Sequence, residues 1–212
     1  MTLALPAAAL ASQLQAGQAV LFPTDTVPAL AARPEAAASL WRLKQRPPDK
    51  PLILMGADLD QLVGLLGLPW RAEWLEQAHR CWPGAVTLVL PLAGPVAQAL
   101  NPTAASLGLR VPASGPARDL LRRSGPLATT SANRSGAPPA LDADQAAAAF
   151  PELALLAPLP WLPGSGQPSC VLAWVEAAAS GAPAGAAGWQ VLRPAAAAAA
   201  DAVVCRASPG AA

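Results

Sequence analysis

The chain has no tyrosine, one histidine and three cysteines in 212 residues, and only 13% of its side chains are charged. Each scarcity excludes something. With His79 as the single imidazole, a His-based zinc site or a Ser-His-Asp triad would rest on that residue alone. Cys81, Cys170 and Cys205 are odd in number and widely spaced, which fits neither a disulfide framework nor a C-x-x-C motif and suits a reducing cytosol. A formal net charge of +1 gives no global electrostatic case for nucleic acid. No Lys or Arg precedes Arg33, so the basic start of a secretory signal is missing. Residues 81–109 carry no charge, but Pro83, Pro91, Pro95 and Pro102 would break a membrane-spanning helix, and the stretch reads as a buried strand with its loops.

Apolar residues, many of them alanine, make up 53% of the chain, enough for a core, and the length suits one domain. Short apolar runs alternate with helical stretches, the pattern of an α/β fold with a mixed sheet flanked by helices. Strands are predicted at 19–22, 52–55, 85–90, 107–111, 127–130, 169–174 and 189–192. Helices are predicted at 2–16, ended by Gly17, and at 34–44, 58–66, 70–80, 115–123 and 142–150. Residues 1–195 form the domain, interrupted by an Ala/Gly/Ser-rich loop over 176–188, and residues 196–212 read as a loosely held tail.

Three segments carry the chemistry. Arg42, Lys44, Arg46 and Lys50 gather four positive charges, including both lysines of the protein, opposed locally only by Asp49. Pro47-Pro48 stops the preceding helix, so Arg46 and Lys50 leave a loop and could converge on one anion, although a solvated helix end explains the run equally well. Thr129-Thr130-Ser131-Ala132-Asn133-Arg134-Ser135-Gly136 brings hydroxyls and a carboxamide together after a short strand; it suits phosphate or carboxylate, or an ordinary polar turn. Gly164 to Ser169 is a weaker grouping of the same kind. Arg110 lies between Leu109 and Val111, where an unpaired guanidinium would be costly. Its partner is a ligand carboxylate, the reading preferred on sequence, or one of the protein's own acids.

Taken in order, Pro23 to Thr26, Lys44 to Leu52, Trp82 to Leu88, Leu109 to Pro112, Ser131 to Gly136, Ser169-Cys170 and Leu192-Arg193-Pro194 resemble the motifs of the YrdC-like threonylcarbamoyl-AMP synthases. The resemblance implies a twisted sheet with a concave, basic pocket. It implies that Thr24, Thr26, Arg110, Thr129 and Ser169 serve threonine or the carbamoyl group. It assigns Lys44, Arg46, Lys50, Ser131, Asn133 and Arg193 to ATP, with no dedicated acid or base and no protein metal site. The chain departs from the family pattern at Pro28-Ala29, where Tyr-Gly is usual, at Cys170, where threonine is usual, and at Ala195, where glycine is usual. An acid usual near Ala173 is also missing, and the second domain of some longer relatives is not expected here.

The implied reaction joins L-threonine, bicarbonate or CO2, and ATP into threonylcarbamoyl-AMP and pyrophosphate, for threonylcarbamoyladenosine modification of tRNA. Mg2+ accompanies ATP, and the product passes to tRNA threonylcarbamoyl-transfer proteins in the cytoplasm, with weak RNA binding as a further partner class. The alternatives are another ATP-dependent carbamoyl transfer, as in much longer hydrogenase-maturation proteins that contain a similar domain, and a non-enzymatic RNA-binding module.

Overall fold

The computed structural model describes residues 3–176 and 187–194. Ten strands pair into one twisted, mixed sheet. They are β1 (Ala4–Leu5), β2 (Val20–Phe22), β3 (Ala29–Ala32), β4 (Ile53–Met55), β5 (Val86–Leu90), β6 (Leu107–Arg110), β7 (Leu127–Ser131), β8 (Ala154–Leu156), β9 (Cys170–Val175) and β10 (Gly188–Arg193). Their order across the sheet is β1-β8-β2-β3-β7-β4-β6-β5-β9-β10. The helices are α1 (Ala7–Gln15), α2 (Ala38–Lys44), α3 (Leu59–Leu66), α4 (Ala72–Cys81), α5 (Pro95–Leu100), α6 (Gly115–Ser124) and α7 (Ala143–Ala149).

Period-2 alternation separates two unlike faces. Leu21, Leu30, Leu54, Leu109 and Ala128 point into the larger core, with Leu40 and Trp41 of α2, Leu62 of α3, Trp74 of α4, Leu100 of α5 and Ala146 of α7. On the other face Val20, Phe22, Ala31, Met55 and Leu127 pack under α1 and α6, which contact each other. These two helices cover only part of that face. Further along it, Ile53 pairs with Thr129 and Gly108, and Gly108 pairs with Val89. These residues line a cavity of about 520 Å³.

Several boundaries differ from the sequence reading. The first helix starts at Ala7, because residues 4–5 pair with β8 as a strand and Pro6 stands at the cap. Gly17, at φ 80°, ends it as predicted. Residues 34–44 split into a 3-10 turn (Pro34–Ala36) and α2. The helix stops at Gln45, which takes the left-handed φ of 53° two residues ahead of Pro47. The segment read as strand and loops over 81–109 also holds α5, with Pro95 in its first turn. Strands β3 and β8 were missed. The sequence Ala-Leu-Ala-Ala has little strand preference of its own, and β3 is extended because β2 and β7 pair with it on both sides.

Cys170 is disulfide-bonded, a correction to the expectation of unpaired thiols, and Cys81 is buried with its Sγ accepting from Gln77 Nε2 at 3.2 Å. The tail over 196–212, and the loop over 176–188 apart from its ends, lie outside the described residues. Among the described residues no helix is long and apolar enough to cross a membrane.

Gly108 tests the packing beneath the cavity. A Cβ there would stand 2.9 Å from Ile53 Cγ2 and 3.4 Å from Thr87 Cγ2. Gly108→Ala should therefore displace Ile53 and lower stability by about 1–3 kcal/mol, read as a lower urea midpoint at constant m; an unchanged midpoint would show that Ile53 moves aside freely.

Candidate active site

Arg110, 3% exposed, is the most buried charge of the cavity wall. Its Nε donates to Gly84 O at 3.0 Å, Nη1 to Thr26 Oγ1 at 2.8 Å and Nη2 to Asp25 Oδ1 at 2.8 Å. Asp25 Oδ1 also accepts from the Ala113 amide at 3.0 Å. The acid paired with Arg110 is the protein's own Asp25, the partner that the sequence left open beside a ligand carboxylate. Burial pushes the Arg110 pKa down, and the facing Asp25 carboxylate pushes it back up. Asp25 is a residue that sequence reasoning missed, although it stands inside the Pro-Thr-Asp-Thr segment that was singled out.

The Thr24–Thr26 turn is held from both sides. Thr24 Oγ1 donates to Val27 O at 2.7 Å and lies 2.9 Å from Thr26 Oγ1. The Ser165 and Gly166 amides donate to Asp25 O and Thr26 O at 3.0 and 2.9 Å. A Cβ on Gly164 would collide with the carbonyl oxygens of Thr26 and Thr24, so only glycine lets this loop approach. The weak Gly164-to-Ser169 grouping is therefore a wall of the site. At its end Ser169 Oγ lies 2.9 Å from Thr87 Oγ1, and Arg193 Nε donates to Ser169 O at 2.8 Å.

Lys44 is 2% exposed and makes a different kind of contact. Its Nζ donates to Ser131 O at 2.7 Å, Asn133 O at 2.6 Å and Asn133 Oδ1 at 3.0 Å, which uses all three ammonium hydrogens. The Ser135 amide donates back to Lys44 O at 2.9 Å, and Arg134 Nη1 donates to Leu43 O. The end of α2 is thereby bolted to the polar turn after β7. Asn133 is saturated as well, since its Nδ2 donates to Arg134 O and Ala137 O.

Of the residues that the resemblance assigned to threonine, Thr24, Thr26, Arg110, Thr129 and Ser169 all line the cavity. Of those assigned to ATP, Arg46, Ser131 and Arg193 line it, whereas Lys44, Lys50 and Asn133 do not. The Lys50 side chain is exposed, and its carbonyl accepts from Arg46 Nη2 at 2.7 Å and Trp41 Nε1 at 2.9 Å. Thr87, Asn101 and Ser106 line the cavity without having been singled out; Thr87 belongs to the Trp82-to-Leu88 motif, whereas the other two gave no signal. Pro28 and Ala29, standing where the family has Tyr-Gly, form part of the same wall.

The charged side chains lining the cavity are Arg46, Arg110 and Arg193, with no carboxylate among the described lining residues. Arg46 Nη2 is held by the Lys50 and Pro51 carbonyls and Nε is buried without an acceptor, so Nη1 is the nitrogen it can offer a ligand. Burial lowers the pKa of Arg46 and of Arg193, and Asp49 partly opposes this at Arg46. A larger groove of about 700 Å³, near Arg42, Arg134 and Glu152, contains none of the other motif residues.

The family model described as "Telomere recombination", covering Sua5, YciO and YrdC proteins, matches residues 12–178. The chain belongs to this family. A threonylcarbamoyl-AMP synthase of Chromohalobacter salexigens is 38% identical over 151 residues, 68% of this chain and 79% of that protein. The Bacillus subtilis enzyme of the same name is 40% identical over 146 residues, 65% of this chain but 41% of its own length. Among solved structures, P. abyssi Sua5 complexed with L-threonine superposes with a TM-score of 0.69 at 30% identity, over 79% of this chain and 50% of that one. E. coli YciO, at 20% identity, shares the fold with a TM-score of 0.66, over 80% of this chain and 84% of that one. This chain thus spans about half of the Sua5 chain and less than half of the B. subtilis enzyme.

Lys44 gives the sharpest test of how the site is held. Lys44→Met takes a donor from three partly buried oxygens, two of which keep another, and should cost about 1–3 kcal/mol in urea unfolding. Burial, followed by repulsion from Arg46, lowers the Lys44 pKa from 10.5 to about 8. The unfolded chain therefore binds the extra proton between those values, and wild-type stability should rise with pH across that window, by up to roughly 1.4 kcal/mol per pH unit, in a way absent from Lys44→Met. A falling difference over the same window would mean that the three acceptors outweigh burial.

Proposed function

We propose that this chain is a threonylcarbamoyl-AMP synthase, a nucleotidyltransferase that makes threonylcarbamoyl-AMP and pyrophosphate from L-threonine, bicarbonate or CO2, and ATP. The observation that carries the reading is a cavity whose charged lining side chains, among the described residues, are three guanidinium groups with no carboxylate beside them. The relatives named above support the choice of substrates, and the cavity volume suits a small-molecule ligand.

In this reading the threonine amine takes up CO2 as a carbamate and releases a proton. A carbamate oxygen then attacks the α-phosphorus of ATP, and the bond to the bridging oxygen breaks as pyrophosphate leaves. Arg46 through Nη1 and Arg193 through its remaining terminal hydrogens take phosphate oxygens, and the work is alignment and charge neutralisation rather than proton transfer by a side chain. Arg110 keeps one hydrogen on each terminal nitrogen beyond its protein bonds, which suits the substrate's anionic end. Lys44 and Asn133 act on ATP through the turn they brace, and Ser131 contributes from that turn.

Among the described residues no three His, Cys, Asp or Glu side chains could hold a metal together, and Asp25 is occupied by Arg110 and the Ala113 amide. The side chains present do not make a Mg2+ cage, so the ion expected with ATP would ride on the triphosphate. The product would be handed, in the cytoplasm, to the proteins that transfer threonylcarbamoyl to tRNA.

With the purified protein, pyrophosphate release from ATP should require both L-threonine and bicarbonate, and labelled bicarbonate should enter the adenylate. Equal release with either omitted defeats the reading. Arg46→Ala should raise the KM for ATP about 10- to 100-fold, the loss of one charge-assisted contact of roughly 1.5–3 kcal/mol, with a smaller effect on that for threonine. Unchanged kinetics would make Arg46 a solvated surface group.

A further inference from the structure

Four hydroxyl hydrogens of the cavity wall can be assigned one by one. Thr24 Oγ1 and Val27 O lie 2.7 Å apart, and a carbonyl has no hydrogen to give, so the single Thr24 hydroxyl hydrogen points at Val27 O. In the 2.9 Å contact between Thr24 and Thr26, the donor must then be Thr26. Thr24 also accepts from the Thr26 amide at 3.1 Å, which fills its remaining lone pair. Thr26 Oγ1 accepts from Arg110 Nη1 and has one lone pair left. The same order holds nearby. Thr129 donates to Ile53 O at 3.3 Å, and Ser131 donates to Asn133 Oδ1 at 2.6 Å. Asn133 is fixed in that orientation, because Lys44 also donates to its Oδ1 while its Nδ2 serves two carbonyls.

None of these four hydroxyls has a hydrogen left for a ligand, and Thr26 keeps a lone pair. A hydroxyl whose hydrogen is spent repels anionic oxygens, which suit the guanidinium groups beside it. Thr26 is the telling case, since its free lone pair lies beside Arg110 in the same wall. An α-amino acid carries a nitrogen-bound hydrogen and an anionic carboxylate oxygen a few bonds apart, a donor and an acceptor that match this acceptor and donor in reverse. The β-hydroxyl of threonine can donate or accept, so it has no special need of an acceptor-only partner.

Building on the synthase reading, we propose that Thr26 determines specificity by accepting the N–H of the substrate nitrogen, so that amino acids whose carbamate carries no N–H are refused. The carbamate of L-threonine has one such hydrogen; that of N-methyl-L-threonine has none. A site built to receive a hydrogen bond discriminates against the analogue that cannot make it.

The test compares kcat/KM for bicarbonate-dependent pyrophosphate release with L-threonine, N-methyl-L-threonine and O-methyl-L-threonine, in the wild type, Thr26→Val and Thr26→Ser. The wild type should prefer L-threonine over the N-methyl analogue at least ~10-fold. Thr26→Val keeps the shape without the lone pair and should reduce that preference at least ~5-fold, by loss of L-threonine activity, while Thr26→Ser restores it. Should Thr26→Val fail to fold, Thr26→Cys, with a weakly accepting thiol, takes its place. A preference that survives the loss of the acceptor is steric, and overturns the inference. So does a collapse of discrimination against the O-methyl rather than the N-methyl analogue, which would give Thr26 to the hydroxyl. No bicarbonate-dependent turnover of L-threonine by the wild type would overturn the synthase reading itself, and this inference with it.

Discussion

A guanidinium 3% exposed within a short, otherwise apolar strand sets the terms for everything around it. Stripped of water, such a charge costs several kcal/mol unless geometry and partners are close to ideal, and removing one partner commonly costs about 3–5 kcal/mol. The strand that bears Arg110 cannot supply those partners, so three connections from elsewhere in the chain must. The loop between β2 and β3 brings Asp25 and Thr26, the turn before β5 brings Gly84 O, and the Ala113 amide fixes the same Asp25 oxygen from the start of the α6 segment. The Gly164 loop then clamps the Asp25 and Thr26 carbonyls from outside. Satisfying one buried charge thus assembles three distant stretches of sequence, together with the residues just after β6, around one end of the cavity.

Lys44 does the same at the other end, with a different result. Its ammonium meets three oxygens and has nothing left, so its charge is spent on holding the turn after β7. Arg110 has five hydrogens and Asp25, Thr26 and Gly84 take three, which leaves donors for a ligand. The contrast follows from the two head groups. A compact ammonium can be enclosed by carbonyls, whereas a planar fork presents an edge that its neighbours on the other side do not cover. Lysine therefore suits the brace and arginine the binding wall.

Much of this was legible in the sequence. The mixed α/β sheet followed from alternating apolar runs, and β5, β6, β7 and β9 lie close to where β-branched and leucine-rich stretches put them. The misses have a common cause. Strand β3 is built from alanine and one leucine, β1 has two residues and β8 three, and each is extended because a neighbour pairs with it, not through local preference. Helix α5 hid inside an uncharged, proline-rich stretch, where Pro95 opens a helix at its first turn as readily as proline ends one elsewhere.

At the site, the sequence identified residues better than roles. Every residue tied to threonine reached the cavity, Thr24, Thr26 and Ser169 from loops, Arg110 from the end of β6 and Thr129 from the middle of β7. The positive cluster divided in a way that spacing could not foretell. Arg46 turns inward because the Lys50 and Pro51 carbonyls receive its Nη2, while Lys44, two residues earlier, is drawn under the Ser131–Asn133 turn. Roles depend on which hydrogens remain after the protein has satisfied itself, and that inventory exists only once the fold has brought acceptors from distant segments together. A threonine in Pro-Thr-Asp-Thr is a donor and an acceptor on paper; beside Arg110 and Thr24 it is an acceptor alone, and the cavity's selectivity follows from that loss of freedom.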